Sequence, residues 1–166
     1  MVGIDPERIR RGLAAYRPVG LRQQMADVKG IKIISDCYNA SPESMRAAAA
    51  VITTVASHRN GKKVALLGDM LELGENSPAL HYAVGEYFAD AEIDLLVSFG
   101  ERAEKIADGF ASKCGEDKVL RFPDRSDALA PAKALAAVLA EGDVLILKAS
   151  RMIAAERVAD ELKKLL

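Results

Sequence analysis

Tryptophan is absent, and aromatic residues make up only 5% of the chain. Surfaces that stack single-stranded nucleic acid are built on aromatics, so the composition argues against that class of binder. The charge balance agrees: 23 Lys and Arg face 24 Asp and Glu, which leaves no basic excess to attract nucleic acid or an anionic membrane. Only two cysteines, Cys37 and Cys114, and two histidines, His58 and His81, occur. They are too few and too scattered for a disulfide framework or a zinc site, and they suit a reducing cytoplasm. No apolar run approaches the roughly 20 residues that a membrane span needs. The opening MVGIDPERIR lacks the apolar stretch of a secretion leader. Two phosphate signatures are also missing. There is no G-x-x-x-x-G-K-[ST], which Gly61-Lys62-Lys63 does not satisfy, and no G-x-G-x-x-G.

What remains is a globular composition, half hydrophobic and 28% charged over 166 residues, which fits one domain with one core. Short β-rich runs alternate with longer helical patterns. Helices are expected from Asp5 to Tyr16, from Pro42 to Ser57, from Ser77 to Ala91, from Glu101 to Cys114, from Asp124 or Ser126 to Glu141, and from Arg151 to Leu165. Arg17-Pro18-Val19-Gly20 breaks the first, and Pro131 marks a kink or a later start in the fifth. Strands are expected at Gln23–Val28, Ile31–Ile34, Val64–Leu67, Leu95–Phe99, Val119–Phe122 and Val144–Leu147. The alternation predicts an α/β fold with a doubly wound, mostly parallel, Rossmann-like sheet, to which the first two strands add an antiparallel edge.

Ligands in such sheets bind outside the carboxyl ends of the strands. Four polar loops leave those ends: Ser35–Ser41, Gly68–Ser77, Gly100–Arg102 and Lys148–Arg151. The first combines the start of a helix, which attracts anions, with the flat ring of Tyr38 and the amide of Asn39. The same residues also make an ordinary capped turn. In the second, Met70, Leu71 and Leu73 meet either another surface or the domain's own core. The carboxylates Asp69, Glu72 and Glu75 can hold a cation, but carboxylates in a loop are more often simply solvated. Lys148 and Arg151 can hold a carboxylate or phosphate, although Arg151 also suits an exposed helix position. His81 fits a structural or interfacial role, since no nucleophile stands at a catalytic spacing from it.

Three segments carry a resemblance to a known family. They are Asp36-Cys37-Tyr38-Asn39-Ala40-Ser41-Pro42-Glu43-Ser44-Met45; Leu67-Gly68-Asp69-Met70-Leu71-Glu72-Leu73-Gly74-Glu75, followed by His81 and Val84-Gly85; and Lys148-Ala149-Ser150-Arg151-Met152 with Glu156. The chain resembles the C-terminal domain of the Mur ligases from about Pro6 onward, most of all in the branch that adds D-alanyl-D-alanine. Ser41, Glu43 and Ala149 stand where that branch has Asn, Asp and Gly. A Gly at 149 would allow a ligand closer to the backbone.

The resemblance implies that residues 1–166 are one domain of an ATP-dependent ligase that adds D-Ala-D-Ala to UDP-N-acetylmuramoyl-tripeptide in peptidoglycan synthesis. ATP and Mg would be bound mainly by a central domain, and the nucleotide sugar by an N-terminal one. It implies a nucleotide side at Tyr38, Asn39 and Ser41, a dipeptide side at Lys148, Ser150 and Arg151, and interdomain positions at Asp69, Glu72 and His81. It implies no catalytic acid, base or metal ligand in this chain, and little activity for the chain alone. Another Mur-type amino-acid or polyglutamate ligase, or a free-standing α/β binding module, would share the same outline.

Overall fold

In the computed structural model, residues 3, 5–15 and 22–166 are described. The expected helix end at Tyr16 and the break at residues 17–20 fall outside them. Twelve elements follow in chain order: α1 (Pro6–Ala15), β1 (Gln24–Val28), β2 (Ile31–Asp36), α2 (Pro42–Ala56), β3 (Lys63–Gly68), α3 (Ser77–Asp90), β4 (Leu95–Phe99), α4 (Glu104–Cys114), β5 (Val119–Phe122), α5 (Leu129–Val138), β6 (Val144–Lys148) and α6 (Glu156–Leu165).

The strands form one sheet in the order β1-β2-β6-β3-β4-β5. Every pairing is parallel except β1 with β2. The turn between those two places Lys29 at φ 48° and Gly30 at φ 78°, the doubly left-handed geometry whose twist matches an antiparallel hairpin. The expected antiparallel edge is therefore present.

Alternating residues of the strands enter two separate cores. Ala65 and Leu67 of β3, with Ile146 of β6, pack under α2, α3 and α4 through Met45, Ile52, Phe88, Ile106 and Phe110. Val64 and Leu66, with Leu145 and Leu147, pack under α5 and α6 through Leu135, Val158 and Leu162. Burial on both faces explains why the central strands β3 and β6 read as nearly unbroken apolar runs. The chain winds outward from β2 through β3 and β4 to β5. It then returns across the other face to insert β6 between β2 and β3. That reversal makes β6 the switch point of the sheet.

Three helix starts differ from the sequence expectation. Helix α4 begins at Glu104, and the Ala103 N–H just before it donates to Asp69 Oδ1 at 2.7 Å. Helix α5 begins at Leu129, since the capping carboxylate is Asp127, whose Oδ1 accepts from the N–H groups of Leu129 and Ala130. Asp124 instead closes a local turn onto Ser126. Pro131 thus falls in the first turn of α5, where a missing N–H costs little. Residues Arg151–Ile153 form a separate 3₁₀ turn. Ala154 at φ 55° then redirects the chain into α6 at Glu156.

Helices α3 and α4 approach closely at Gly85 and Gly109. A Cβ on Gly85 would run into the Ile106 carbonyl oxygen, and one on Gly109 into that of Tyr82. Backbone cannot yield as a flexible side chain does. Gly85→Ala should therefore lower stability by about 2–3 kcal/mol in urea unfolding, outweighing the roughly 1 kcal/mol by which Ala favours a helix. A neutral or stabilising result would show that the two helices can separate without loss.

Candidate functional site

The loops that leave β2, β6 and β3 meet at the switch point. The first begins at Asp36, whose side chain is 15% exposed, against the 2% of Lys148 at the end of β6. Lys148 Nζ donates to Asp36 Oδ2 at 2.7 Å and to the Asn39 carbonyl at 3.0 Å. The other carboxylate oxygen, Oδ1, accepts from the Gln23 N–H at 3.4 Å. Beside this pair, burial pushes the Cys37 thiol up to about 12, with the charges of Glu156 and Asp36 adding to the shift. The group remains a protonated, packed thiol that faces the Leu147 carbonyl.

Helix α2 starts from this platform. Ser41 Oγ accepts from the Ser44 N–H, and Ser44 Oγ accepts from the Ser41 N–H, so the two serines close a capping box. Of the three residues expected on a nucleotide side, Ser41 therefore has its hydroxyl committed to the helix. Asn39 and Tyr38 are exposed. The guanidinium of Arg22 lies 4.2 Å from the centre of the Tyr38 ring. Arg22 was not a sequence candidate. It precedes β1, and only the hairpin brings it beside residue 38, next to the start of α2.

The loop after β3 folds back on its own domain. Met70 is fully buried, while Leu71 and Leu73 pack against the two cores. Of the two alternatives for these apolar residues, burial against the domain's own core is what occurs. The Ser150 N–H donates to the Asp69 carbonyl at 3.0 Å, and Ser150 Oγ accepts from the Leu71 N–H at 2.9 Å. Ala149 is fully buried, and its Cβ sits where a side chain on Gly68 would stand. Its methyl group thus packs against Gly68 at the end of β3.

Several sequence expectations change here. Lys148 and Ser150 were placed on a dipeptide side, yet both are buried and bonded within the chain. Arg151 is 57% exposed and holds Glu156 at 2.5 Å. Asp69 and His81 were expected to face another domain. Asp69 is buried, and His81 has no exposed surface. Glu72 alone of that trio is exposed, at φ 64°. The carboxylate of Asp69 accepts from the Ala103 N–H and is pushed above its ordinary range of 3.8, chiefly by burial.

The open cleft lies on the other side of Asp69, beyond the ends of β3, β4 and β5. It measures about 780 Å³ and is lined by Asp69, Leu71, Glu101, Arg102, Pro123, Asp124, Arg125, Ser126 and Met152. Residues 123–126 read in sequence only as a helix start. Their place after β5 was the signal that could have found them. The cleft sets the cations Arg102 and Arg125 among the carboxylates Asp69, Glu101 and Asp124, with Leu71, Pro123 and Met152 as its apolar parts. Such a mixture suits a small zwitterion. Among the described residues, no group of three or more His, Cys, Asp or Glu could hold a metal ion. No helix among them is long and apolar enough to cross a membrane.

Residues 21–151 match the family model described as the Mur ligase, glutamate ligase domain. The chain belongs to the Mur ligase family, as its C-terminal domain. It is 34% identical to the UDP-N-acetylmuramoyl-tripeptide–D-alanyl-D-alanine ligase of Bacillus subtilis (strain 168), over 96% of this chain and 34% of that protein. The enzyme of that name from Escherichia coli (strain K12) is also 34% identical, over 98% and 34%. The chain thus spans about a third of the length of the curated relatives it matches. The MurF ligase of Thermotoga maritima, solved with ADP, superposes with a TM-score of 0.74 at 29% identity, over 95% of this chain and 36% of that one. A MurF from Acinetobacter baumannii reaches 0.79 at 28% identity, over 98% and 34%.

The buried pair gives the first test of this geometry. Lys148→Met leaves Asp36 without its cation and should cost about 3–5 kcal/mol in chemical unfolding, as the breaking of buried pairs does. Asp36→Asn with Lys148→Met should restore most of that loss, because no lone charge is left buried. Simple additivity of the two single changes would mean that the pair does not organise the platform.

Proposed function

We propose that the chain is the closing domain of an ATP-dependent ligase that adds D-Ala-D-Ala to UDP-N-acetylmuramoyl-tripeptide, and that its 780 Å³ cleft receives the incoming dipeptide. The observation that carries the reading is the chemistry of that cleft, which supplies both signs of charge together with apolar surface. D-Ala-D-Ala is a zwitterion with two methyl groups. Arg102 and Arg125 suit its carboxylate. The carboxylates around them suit its ammonium, and Leu71, Pro123 and Met152 suit its methyls. The two relatives named for this activity support the choice of amine.

On the opposite side of β6, Arg22, Tyr38, Asn39 and the start of α2 form a surface suited to ATP. Arg22 brings a cation for phosphate, the start of α2 brings the positive end of the helix dipole, and the Tyr38 ring offers a flat face. The ADP-bound Thermotoga relative supports nucleotide use. Magnesium and the UDP-N-acetylmuramoyl-tripeptide belong, in this reading, to further domains of a longer cytoplasmic chain. This chain's part is to bring the amine to the activated carboxylate and to shut out water, which would otherwise hydrolyse it. Half of a nucleotide site gives weak affinity, so the isolated chain should bind ATP only at about millimolar concentration.

The test is ligation by the longer enzyme. ADP formation should require D-Ala-D-Ala and the tripeptide acceptor together. Arg125→Ala should raise the KM for D-Ala-D-Ala about 10- to 150-fold, the worth of one charge-assisted contact, with little change for ATP. Arg22→Ala should do the reverse. If the enzyme prefers a different amine, the chain belongs to another branch of the family. An unchanged dipeptide KM in Arg125→Ala would remove the cleft from the reaction.

A further inference from the structure

His81 is fully buried, and the mechanism above makes no use of it. Its ring is held by two backbone groups of fixed character. Nε2 lies 2.9 Å from the Met70 N–H, which can only donate. Nδ1 lies 2.7 Å from the Ser77 carbonyl, which can only accept. The partners therefore dictate the tautomer: a proton on Nδ1 and none on Nε2. Ser77 Oγ adds a third contact to Nδ1 at 3.3 Å.

This ring spans the whole loop between β3 and α3. One of its bonds reaches the residue between Asp69 and Leu71, both of which line the cleft. The other reaches the first residue of α3. Without the ring, the Met70 N–H would be a buried donor with no acceptor. The loop would then have to open toward water, carrying Asp69 and Leu71 with it. Ser150 braces the same stretch from β6 but touches only the Asp69 carbonyl and the Leu71 N–H. The central amide depends on His81.

We propose that His81 is a positioning residue that, through its unprotonated Nε2, fixes the Asp69–Leu71 wall of the cleft and so sets affinity for the amine substrate. The structural half of this statement stands on the geometry alone. The half concerning affinity rests on the ligase reading.

Protonation of Nε2 would set two donors, Nε2–H and the Met70 N–H, against each other. The ionisable groups that face the ring are Asp69 from its own loop and Arg102 from the turn before α4. Burial pushes His81 below its ordinary 6.5 and outweighs the bond to the Ser77 carbonyl and the charge of Asp69, which act the other way; Arg102 adds to the lowering. A depressed folded value means that the neutral ring is the form the fold favours. Its contribution is complete above 6.5 and is lost as the pH falls through the folded value.

Two variants separate positioning from mere packing. In His81→Gln, the side-chain oxygen stands near the Nε2 position and can accept from Met70. In His81→Asn, only the donor to Ser77 is replaced. Amide exchange at Met70, measured by NMR on this chain above pH 6.5, should stay near wild type in His81→Gln and quicken about tenfold or more in His81→Asn. On acidification, the Met70 protection factor of the wild type should fall, while that of His81→Gln should not. Equal protection in the two variants, or a wild-type factor that ignores pH through the titration of His81, overturns the clamp. If neither variant folds, the wild-type pH series decides alone.

In the longer ligase, His81→Asn should raise the dipeptide KM about tenfold and change kcat little, and His81→Gln should recover it. A loss of kcat with KM unchanged contradicts the positioning role. A wild-type enzyme that does not use D-Ala-D-Ala overturns the ligase reading instead, and leaves the exchange result to judge the clamp.

Discussion

The buried ion pair between Lys148 and Asp36 is the constraint on which the rest of the site depends. Two charges drawn out of water are costly unless they meet each other with good geometry and find further hydrogen bonds. Here the ammonium also holds the Asn39 carbonyl, and the carboxylate also accepts from the Gln23 N–H. One pair therefore ties together the ends of β2 and β6, the turn into α2 and the start of β1. The direction of α2, and with it the exposed surface at Tyr38 and Asn39, follows from that tie. An apolar pair would fill the space but would leave the Asn39 carbonyl and the turn without a partner.

The same strand end organises the other side. Two residues beyond Lys148, Ser150 bonds both flanks of Met70, and His81 bonds Met70 itself. Asp69 in turn holds the Ala103 N–H before α4. Bonds thus run in an unbroken series from β6 through the β3 loop to the turn after β4. The cleft is the space this series leaves open. In the proposed ligase, such a platform would move as one body. Closure would then bring the nucleotide face and the amine cleft into place together, so that the amine arrives when water is excluded.

The sheet was readable in the sequence because parallel strands covered on both faces have to be apolar throughout. Val64–Leu67 and Val144–Leu147 are, and Leu95–Phe99 is broken only by the buried Ser98. Helix starts were less readable where several capping residues cluster. Asp124, Ser126 and Asp127 all suit the role, and only the path of the chain after β5 selects Asp127. The site was legible as a set of loops but not as a set of contacts. The partner of Lys148 lies 112 residues away, and no local pattern announces it. Lys148 and Ser150 were singled out as groups that face a ligand, and His81 as a structural or interfacial one. Their polar character serves instead to satisfy buried partners. Arg22 and Arg125 escaped notice because each sits in a segment whose own sequence describes a turn.

The central claim is that the cleft between the β3, β4 and β5 loops receives a small zwitterionic amine. NMR titration of the isotope-labelled chain with D-Ala-D-Ala tests it most directly, since shift mapping reports the location of even millimolar binding. The account predicts saturable shifts at Asp69, Leu71, Arg102, Arg125 and Met152, weaker with D-Ala alone and absent at Ala49, Thr53 and Tyr87 on the far face. Shifts confined to the Tyr38–Ser41 surface, or a spectrum unchanged up to the solubility of the dipeptide, would contradict it.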